Sequence, residues 1–372
     1  MVGINCLGLE SEKRCGAEEV LMNLCKGFSE NNHESELIFF CYSDMKRRIE
    51  KICPRAKYVE FVEKESSHKK IQTMLIQSFS FRKKLRNYKL DTLFFAQAGT
   101  GLFKYKLPVV VIPHDIQDVS HPENYSYKKN KVLRRLFFKV FYGLDFRNAD
   151  KIIAISEVDK KEICQYYSRY RKKVEKIYNP ITIPDKIEIV KEKKDYILAT
   201  NIQYEHKNVI TLIKAFKRVK KEFPNIELYL VGRESECTKK LKEYVILNDM
   251  DEYVHFTGFI SRKELEKLWR ETRIYVNPSK FEGFGMTAVE SIMYGAPTLL
   301  ANLEVNREVT ENMCHYYGEA EDVEALVTHL RCLLTKTINI DELIRMQSKM
   351  IDKYDYKKIS EIYWEILKNG VI

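Results

Sequence analysis

The segment Arg273–Leu300 reads RIYVNPSKFEGFGMTAVESIMYGAPTLL and decides the fold class. Its apolar start is closed by the turn residues Asn277–Ser279, a pattern typical of a buried strand. A helical pattern follows, and Gly295 and Pro297 predict its end and the return to a second strand. Strand, loop, helix and strand in this order indicate one unit of a parallel α/β sheet.

Two glutamates, Glu282 and Glu290, stand eight positions apart around the loop of this segment. Between them, Gly283 and Gly285 allow backbone conformations that other residues avoid and permit close approach of a ligand. The first turn of the helix offers N–H groups that bind a diphosphate. Eight helical steps cover about 12 Å, which suits one carboxylate to a sugar and the other to a ribose. The loop therefore predicts a nucleotide-sugar site at the carboxyl end of a strand.

A purely structural interpretation of the same loop is also open. In it, Glu282 is a charge favoured by the helix dipole, and the apolar positions form the buried face of an amphipathic helix, at Phe284, Met286, Val289 and Ile292. The strands on both sides of the loop favour the ligand site, because ligands of open α/β sheets bind where strands end.

Strand-like runs alternate with helical patterns along the chain, which predicts an α/β protein with parallel sheets. The predicted strands of the first half are Met1–Gly8, Glu36–Tyr42, Leu93–Phe95, Pro108–Ile112 and Lys151–Ile155. Those of the second half are Tyr196–Ala199, Glu227–Val231, Val254–Phe256, Arg273–Val276 and Thr298–Leu300. Two series of this kind predict two doubly wound domains that face each other across a cleft.

Pro180–Pro184, followed by a charged stretch to Lys194, predicts an interdomain linker. We therefore expect one domain over residues 1–184 and a second over residues 185–354. The last helical pattern, Tyr356–Leu367, carries a large apolar face that must be buried. Its periodicity does not tell which domain the segment 355–372 covers, and packing back on the first domain is one arrangement.

The composition, with 45% hydrophobic and 31% charged residues, is that of a globular protein. No apolar run approaches the roughly 18 residues that cross a bilayer, and the start lacks the basic flank of a signal peptide. We therefore expect a cytoplasmic protein. Nine cysteines are scattered without a Cys-x-x-Cys pair, which favours reduced packing thiols over a zinc site or disulfides.

With the loop and its strands in place, the chain resembles the retaining glycosyltransferases of family 4, which have the GT-B fold. In the second half the resemblance rests on Lys207–Val209, Leu230–Gly232, Val254–Gly258 and Pro278–Gly285. In the first half it is looser and rests on Gly16–Glu19, His114–Ile116 and Ala149–Glu157. It implies two Rossmann-like domains, of which the first binds the acceptor and the second the nucleotide-sugar donor.

The resemblance implies roles for single residues. Glu290 would accept hydrogen bonds from ribose hydroxyls, and Glu282 would contact hydroxyls of the donor sugar. Lys207 would neutralise charge that develops on the leaving phosphate. His114 would lie near the reactive carbon of the donor, and Gly16 would let the first loop close over the pyrophosphate. The glycine turn would hold the diphosphate, at Gly283, Phe284, Gly285 and Met286. Taken alone, Lys207 is by default a solvated charge. His114 taken alone is explained as well by a strand-end histidine with satisfied hydrogen bonds as by a functional role.

One departure concerns the arginine that this family commonly carries beside its donor-site lysine. The residues before Lys207 contain none, and His206 and Arg233 are the candidates to replace it. Because a basic side chain and helix N–H groups neutralise a diphosphate, we expect no metal and no cofactor besides the nucleotide-sugar. Asp249–Asp251 spells the metal-binding triplet of the other major glycosyltransferase fold, but its position between helix and strand predicts a solvated loop.

The net charge of +10 belongs to the first half, since residues 1–180 contain 34 Lys+Arg and 22 Asp+Glu. Two basic stretches there, Lys69–Arg86 and Tyr127–Phe141, interleave aromatic and aliphatic residues. For either stretch alone we favour apolar residues in the core with lysines in water. Such helices also bind anionic membrane surfaces, and their joint position gives the hypothesis of a peripheral contact with the inner face of the cell membrane.

We therefore expect a retaining hexosyltransferase that moves a sugar from a nucleotide-diphosphate-sugar to a glycan or a lipid-linked acceptor. Assembly of bacterial surface polysaccharide or lipopolysaccharide is the setting that the resemblance implies. One alternative is a nucleotide-sugar epimerase or hydrolase of the same architecture. Another is a non-catalytic binder of membrane or nucleic acid, although no nucleic-acid-binding module is recognisable. The base, the sugar, the acceptor hydroxyl and the oligomeric state stay open.

Overall fold

The computed structural model describes residues 1–9, 16–62, 69–125 and 130–369. The chain divides into two compact units, one formed by residues 1–182 together with 354–372 and the other by residues 183–353. The division falls inside Pro180–Pro184, two residues before the expected boundary. Among the described helices, none is both long and apolar enough to cross a membrane.

The first unit contains a seven-stranded parallel sheet. Its strands are β1 (Val2–Asn5), β2 (Leu37–Tyr42), β3 (Lys57–Phe61), β4 (Thr92–Phe95), β5 (Val109–Val111), β6 (Lys151–Ala154) and β7 (Val174–Lys176), in the order β3-β2-β1-β4-β5-β6-β7. Ile4 of β1 pairs with Phe39 on one side and Phe94 on the other, so the central strands are apolar and buried on both faces. The helices are α1 (Gly16–Glu30), α2 (Ser43–Ile49), α3 (Lys69–Ser78), α4 (Ser80–Leu85), α5 (Gln117–Ser120), α6 (Lys131–Asn148) and α7 (Glu157–Tyr166).

The second unit contains a six-stranded parallel sheet in the order β10-β9-β8-β11-β12-β13. Its strands are β8 (Lys194–Thr200), β9 (Glu227–Val231), β10 (Val254–Gly258), β11 (Thr272–Asn277), β12 (Thr298–Leu300) and β13 (His315–Tyr316). Its helices are α8 (Val209–Val219), α9 (Glu236–Ile246), α10 (Arg262–Glu271), α11 (Met286–Met293), α12 (Glu304–Val309), α13 (Val323–Thr335) and α14 (Ile340–Tyr354). The strand order reverses between β8 and β11, so a crevice for a ligand is expected where these two strands end.

Three observed strands are absent from the sequence-based prediction: β3, β7 and β13. Each lies at an edge of its sheet. Edge strands have solvent on one side and tolerate charged residues, as β3 does with the exposed residues Lys57 and Glu60. They therefore lack the continuous apolar run by which the central strands were recognised.

The final helix, α15 (Tyr356–Asn369), belongs to the first unit and packs on α1. Their backbones approach so closely that a Cβ atom added to Gly27 would lie 2.1 Å from Oγ of Ser360. Trp364 packs on Phe28, and its ring stacks on His33 with 4.2 Å between centroids. The apolar face that the sequence left unassigned is therefore buried on the first unit.

Candidate functional site

The candidate site lies in the second unit, where the loop after β8 meets the loop after β11. Asn208 adopts a left-handed conformation with φ of +52°, and its side-chain amide donates to the carbonyl oxygens of Pro278 at 3.2 Å and Ala320 at 2.7 Å. The backbone N–H of Lys280 donates to the carbonyl of His206 at 2.8 Å. These hydrogen bonds hold the two loops together at the switch point of the sheet.

This arrangement brings Lys207 and Glu282 together, although they are 75 positions apart in sequence. Nζ of Lys207 donates to Oε1 of Glu282 at 2.6 Å, and their side chains are only 10% and 9% exposed. Asn277, the last residue of β11, donates to the same oxygen at 2.9 Å. Burial raises the pKa of Glu282, but the charge of Lys207 and the hydrogen bonds from Lys207 and Asn277 outweigh it and lower that pKa. Glu282 is therefore an ionised carboxylate in a buried ion pair with Lys207.

The glycine turn opens α11 as expected. Gly285 is the N-terminal capping residue with φ of +88°, a conformation that favours glycine. A Cβ atom added there would lie 3.3 Å from Oδ1 of Asn306, so the turn is also crowded. Because α11 starts at Met286, only the second half of the interval from Glu282 to Glu290 is helical. The amides of this first turn point out of the helix at the crevice.

Glu290 is buried in α11 and bound to a residue that the sequence reasoning missed. Nη1 of Arg262, the first residue of α10, donates to Oε1 of Glu290 at 2.6 Å. The Glu290 side chain is 7% exposed. A signal was present in the sequence, because a cation in the first turn of a helix is disfavoured by the dipole and suggests a tertiary partner.

The two candidates for the missing arginine differ in charge. The ring of His206 stacks on Phe281 with 4.4 Å between centroids, and its pKa is lowered to about 4 by burial and by the charge of Lys207. His206 is therefore neutral at pH 7 and does not supply a cation. Arg233 is half-buried after β9, with its guanidinium 4.9 Å from the centroid of Phe259. Among these two, only Arg233 keeps a positive charge.

His114 and Gly16 belong to the first unit. Nε2 of His114 lies 2.8 Å from the carbonyl oxygen of Ala96, so this nitrogen carries the proton and Nδ1 is an acceptor. Burial lowers the pKa of His114 to about 4, which keeps the ring neutral. Its φ of +71° places the backbone in the left-handed region, which few non-glycine residues adopt.

Gly16 is the first residue of α1, and a Cβ atom added there meets nothing within 4 Å. Crowding in the described structure therefore does not require glycine at this position. The loop that Gly16 was expected to let close, residues 10–15, lies outside the described residues.

Possible metal ligands are dispersed. Within residues 1–9, 16–62, 69–125 and 130–369, no group of three or more His, Cys, Asp or Glu side chains is placed to hold a metal ion. The triplet Asp249–Asp251 lies between α9 and β10, with Asp249 in a left-handed conformation of φ +55°. It is part of a loop between a helix and a strand.

Comparison with known families covers most of the chain. The model described as glycosyl transferases group 1 matches residues 181–353, which contain the candidate site. The model of glycosyltransferase family 4 matches residues 15–183. The two matches meet where the two units of the structure divide.

Individual relatives agree with these models. The chain is 26% identical to the O-antigen chain mannosyltransferase RfbU of Salmonella typhimurium over 209 residues, which are 56% of each chain. The fold is similar to that of HepE from Anabaena, crystallised with UDP and glucose, with a TM-score of 0.75, 18% identity and 99% of both chains covered. It is also similar to WaaG, a glycosyltransferase involved in lipopolysaccharide biosynthesis, with a TM-score of 0.73, 15% identity and 100% of both chains covered. This chain, with its two parallel-sheet units, belongs to the family 4 glycosyltransferases of the GT-B fold.

Proposed function

We propose that the protein transfers a hexose, with retention of anomeric configuration, from a nucleotide-diphosphate-sugar to a glycan or lipid-linked acceptor of a bacterial surface polysaccharide. The observation that carries the proposal is the buried Lys207–Glu282 pair beside the start of α11 at the switch point of the second sheet. The O-antigen mannosyltransferase among the relatives and the UDP and glucose bound to HepE support a nucleotide-sugar donor and this setting.

The proposed donor site is built around the diphosphate. The backbone of Phe284, Gly285 and Met286, following the flexible Gly283, would donate N–H groups to phosphate oxygens. Lys207 would then be shared between Glu282 and the leaving phosphate, and its charge would be stabilising as the bond to the sugar breaks. Glu282 would accept hydrogen bonds from hydroxyls of the sugar. Glu290 would accept those of the ribose.

Two further residues complete the proposed roles. Arg233 would be the second cation near the diphosphate, since His206 is neutral. His114 would offer Nδ1 as an acceptor to a hydroxyl of the donor sugar, because its other nitrogen donates to Ala96. With these groups we propose that neither a metal nor a further cofactor is required. Unchanged turnover after EDTA treatment is the expected result, and recovery of lost turnover by Mg²⁺ or Mn²⁺ would contradict it.

The reaction is tested with purified protein and a panel of UDP-, GDP- and dTDP-sugars. We expect one donor to raise the melting temperature and to be consumed only with an acceptor extract, with an α-linked donor giving an α-linked product by NMR. A β-linked product would overturn retention. Release of the free sugar or an epimerised donor without acceptor would favour the hydrolase or epimerase alternative. A folded protein that binds no donor would overturn the proposal.

We also propose that the first unit binds an anionic membrane surface through α6. This helix buries one apolar face but exposes a second, formed by Val132 (80% exposed), Leu133 (65%), Leu136 (57%), Phe137 (38%) and Val140 (56%). For this helix the favoured expectation, with apolar residues in the core and lysines in water, is therefore wrong for Leu133, Leu136 and Phe137, while Phe138 is buried as expected. The basic residues Lys131 and Lys139 lie on the same helix, and Tyr127–Lys129 of the predicted stretch lie outside the described residues. By helical spacing Lys139 lies beside the exposed apolar stripe, and an apolar stripe next to a basic residue suits lipid headgroups.

Flotation with vesicles tests this contact. We expect binding to phosphatidylglycerol vesicles and little to phosphatidylcholine, with loss of binding in the double variant Leu133→Ser, Leu136→Ser. Leu247→Ser is the matched control, because Leu247 is 82% exposed in the second unit. Equal binding of the double variant and the wild type would overturn the proposed contact.

A further inference from the structure

Arg262 occupies a position that its own helix does not explain. It is the first residue of α10, directly after the capping residue Ser261. Cations are disfavoured at this end of a helix because the dipole is positive there. The side chain is nevertheless only 35% exposed. Its placement must therefore be set by groups outside the first turn.

Those groups surround the guanidinium on several sides. Nη1 donates to Oε1 of Glu290 at 2.6 Å, and Nε donates to Oε1 of Glu266 at 3.0 Å. The guanidinium carbon lies 5.4 Å from the ring centroid of Trp269 and 5.7 Å from that of Tyr294. The hydroxyl of Tyr294 in turn donates to Glu266 at 2.6 Å. A planar, five-donor group held in this way has little freedom to rotate.

Within this network, Arg262 stabilises the charge of the buried Glu290 side chain. A carboxylate that is 7% exposed pays a large desolvation cost unless a cation is paired with it. Burial lowers the pKa of Arg262, but the charge of Glu290 and that side chain's hydrogen bond outweigh it, so the pKa is raised. Arg262 therefore stays charged and fixes which way Oε1 of Glu290 points.

We propose that Arg262 is the positioning residue of the ribose subsite: it holds the Glu290 side chain oriented to accept hydrogen bonds from the ribose hydroxyls of the donor nucleotide. The inference rests on the proposed function, because the ribose role of Glu290 is taken from there. Arg262 acts through Glu290 and is not assigned a contact with the substrate. Glu266 and Tyr294 hold Arg262 in turn.

A comparison of ribose with deoxyribose ligands separates positioning from general support. If Arg262 orients Glu290, its loss removes the preference for the hydroxyl-bearing ligand. If it only supports the fold, binding of both ligands weakens by the same factor. The probes are UDP and GDP with their 2′-deoxy and 3′-deoxy analogues, measured by calorimetry.

We expect the wild type to bind UDP or GDP at least about tenfold more tightly than a deoxy analogue, since a site built for a hydroxyl rejects ligands that lack it. In Arg262→Gln this ratio should fall toward one, as in Glu290→Ala, while Arg262→Lys should keep part of it. Arg270→Gln is the matched control. Arg270 lies on the same helix and 5.1 Å from the same Tyr294 ring, and its guanidinium donates to the carbonyl oxygens of Glu188 and Lys186. It should keep the wild-type ratio.

The outcomes are distinguishable. A folded Arg262→Gln protein with the wild-type ratio, or with equal losses for both ligands, would overturn the positioning role alone. If Arg262→Gln does not fold, Arg262→Lys and Glu266→Gln decide, since each loosens the network and should lower the ratio partway. A wild type that binds none of UDP, GDP and dTDP would overturn the proposed function and this inference with it, whereas a wild type that binds only dTDP would overturn this inference alone. A wild-type preference retained by Glu290→Ala, which removes the acceptor, would remove the ribose subsite itself.

Discussion

The carboxyl edges of the two sheets share a topology but differ in charge. The second unit buries two ion pairs there, Lys207–Glu282 and Arg262–Glu290. The first unit presents His114, a neutral imidazole bonded to a backbone carbonyl. Among its buried acids, Asp145 is held by the backbone N–H groups of Gly99 and Thr100, whereas Glu18 and Glu34 are paired with Arg48 and Arg55. In the proposed reaction, the ion pairs of the second unit would serve the diphosphate and the neutral His114 of the first unit would serve a sugar hydroxyl.

The largest effect that tests this contrast is expected from Lys207→Ala. The change removes the charge proposed to stabilise the leaving phosphate, so kcat should fall by about 100-fold or more. It also leaves Glu282 buried without its cation, which should lower the free energy of unfolding by roughly 3–5 kcal/mol. Turnover assays and urea denaturation measure the two effects.

The double variant Lys207→Met, Glu282→Gln is the control for stability. It removes both charges, so most of the lost stability should return while turnover stays low. A wild-type kcat in Lys207→Ala would contradict the proposal that the charge of Lys207 stabilises the leaving phosphate.

A smaller effect is expected from Arg233→Gln. If Arg233 is the second cation at the diphosphate, the Kd of a nucleoside diphosphate should rise about tenfold. The rise should shrink at high salt, because screening weakens the charge contribution in the wild type. His206→Gln should change this Kd little, since His206 is already neutral. A larger loss in His206→Gln than in Arg233→Gln would reverse the assignment.

His114→Ala tests the neutral edge. Loss of one hydrogen bond to a sugar hydroxyl should raise KM for the donor about fivefold, without changing the Kd of the nucleoside diphosphate. Asparagine tolerates the left-handed backbone and keeps an acceptor, so His114→Asn should be closer to the wild type. If His114→Ala weakened the nucleoside diphosphate equally, the proposed division of tasks between the units would be wrong.

The smallest expected effect is a difference in acid sensitivity. In the folded second unit the pKa of His206 is lowered to about 4, and the pKa of His315 is also lowered. As the pH drops from 6.5 toward 4, the unfolded second unit therefore binds more protons than the folded one, and its free energy of unfolding falls. His114 acts likewise in the first unit. There, however, burial raises the pKa of Asp145 to about 6, and Glu123 and Glu162 outweigh burial to raise that of His121. Asp145 and His121 bind protons more readily in the folded state, so they offset the fall in the free energy of unfolding that His114 causes in the first unit.

Each unit contains one of the two tryptophans, Trp364 in the first and Trp269 in the second. The variants Trp269→Phe and Trp364→Phe therefore allow unfolding of each unit to be followed by fluorescence. Between pH 7 and pH 5 we expect the second unit to lose about 1 kcal/mol more than the first. Equal losses, or a greater loss in the first unit, would contradict the contrast in charge.

Much of the architecture could be predicted from the sequence, because buried parallel strands are continuous apolar runs. The start of α10 is set by a capping box of Ser261 and Glu264, a local pattern of residues that the sequence itself contains. The edge strands β3, β7 and β13 were missed because they lack a continuous apolar run, whereas the edge strand β10 was predicted. The buried ion pairs were not predictable as pairs, because Lys207 and Glu282 meet only after β8 and β11 align.

The position of α15 has a consequence for synthesis on the ribosome. The surface of α1 around Gly27 is covered by α15. Residue 356, where α15 begins, is synthesised about 174 positions after residue 182, where the first stretch of the first unit ends. At usual translation rates this delay is roughly 10–35 s, during which the nascent first unit exposes Phe28 and its neighbours. The second unit is one uninterrupted stretch and needs no such wait. Chaperone binding should therefore persist while the ribosome holds the chain and decline after release, when α15 can pack on α1.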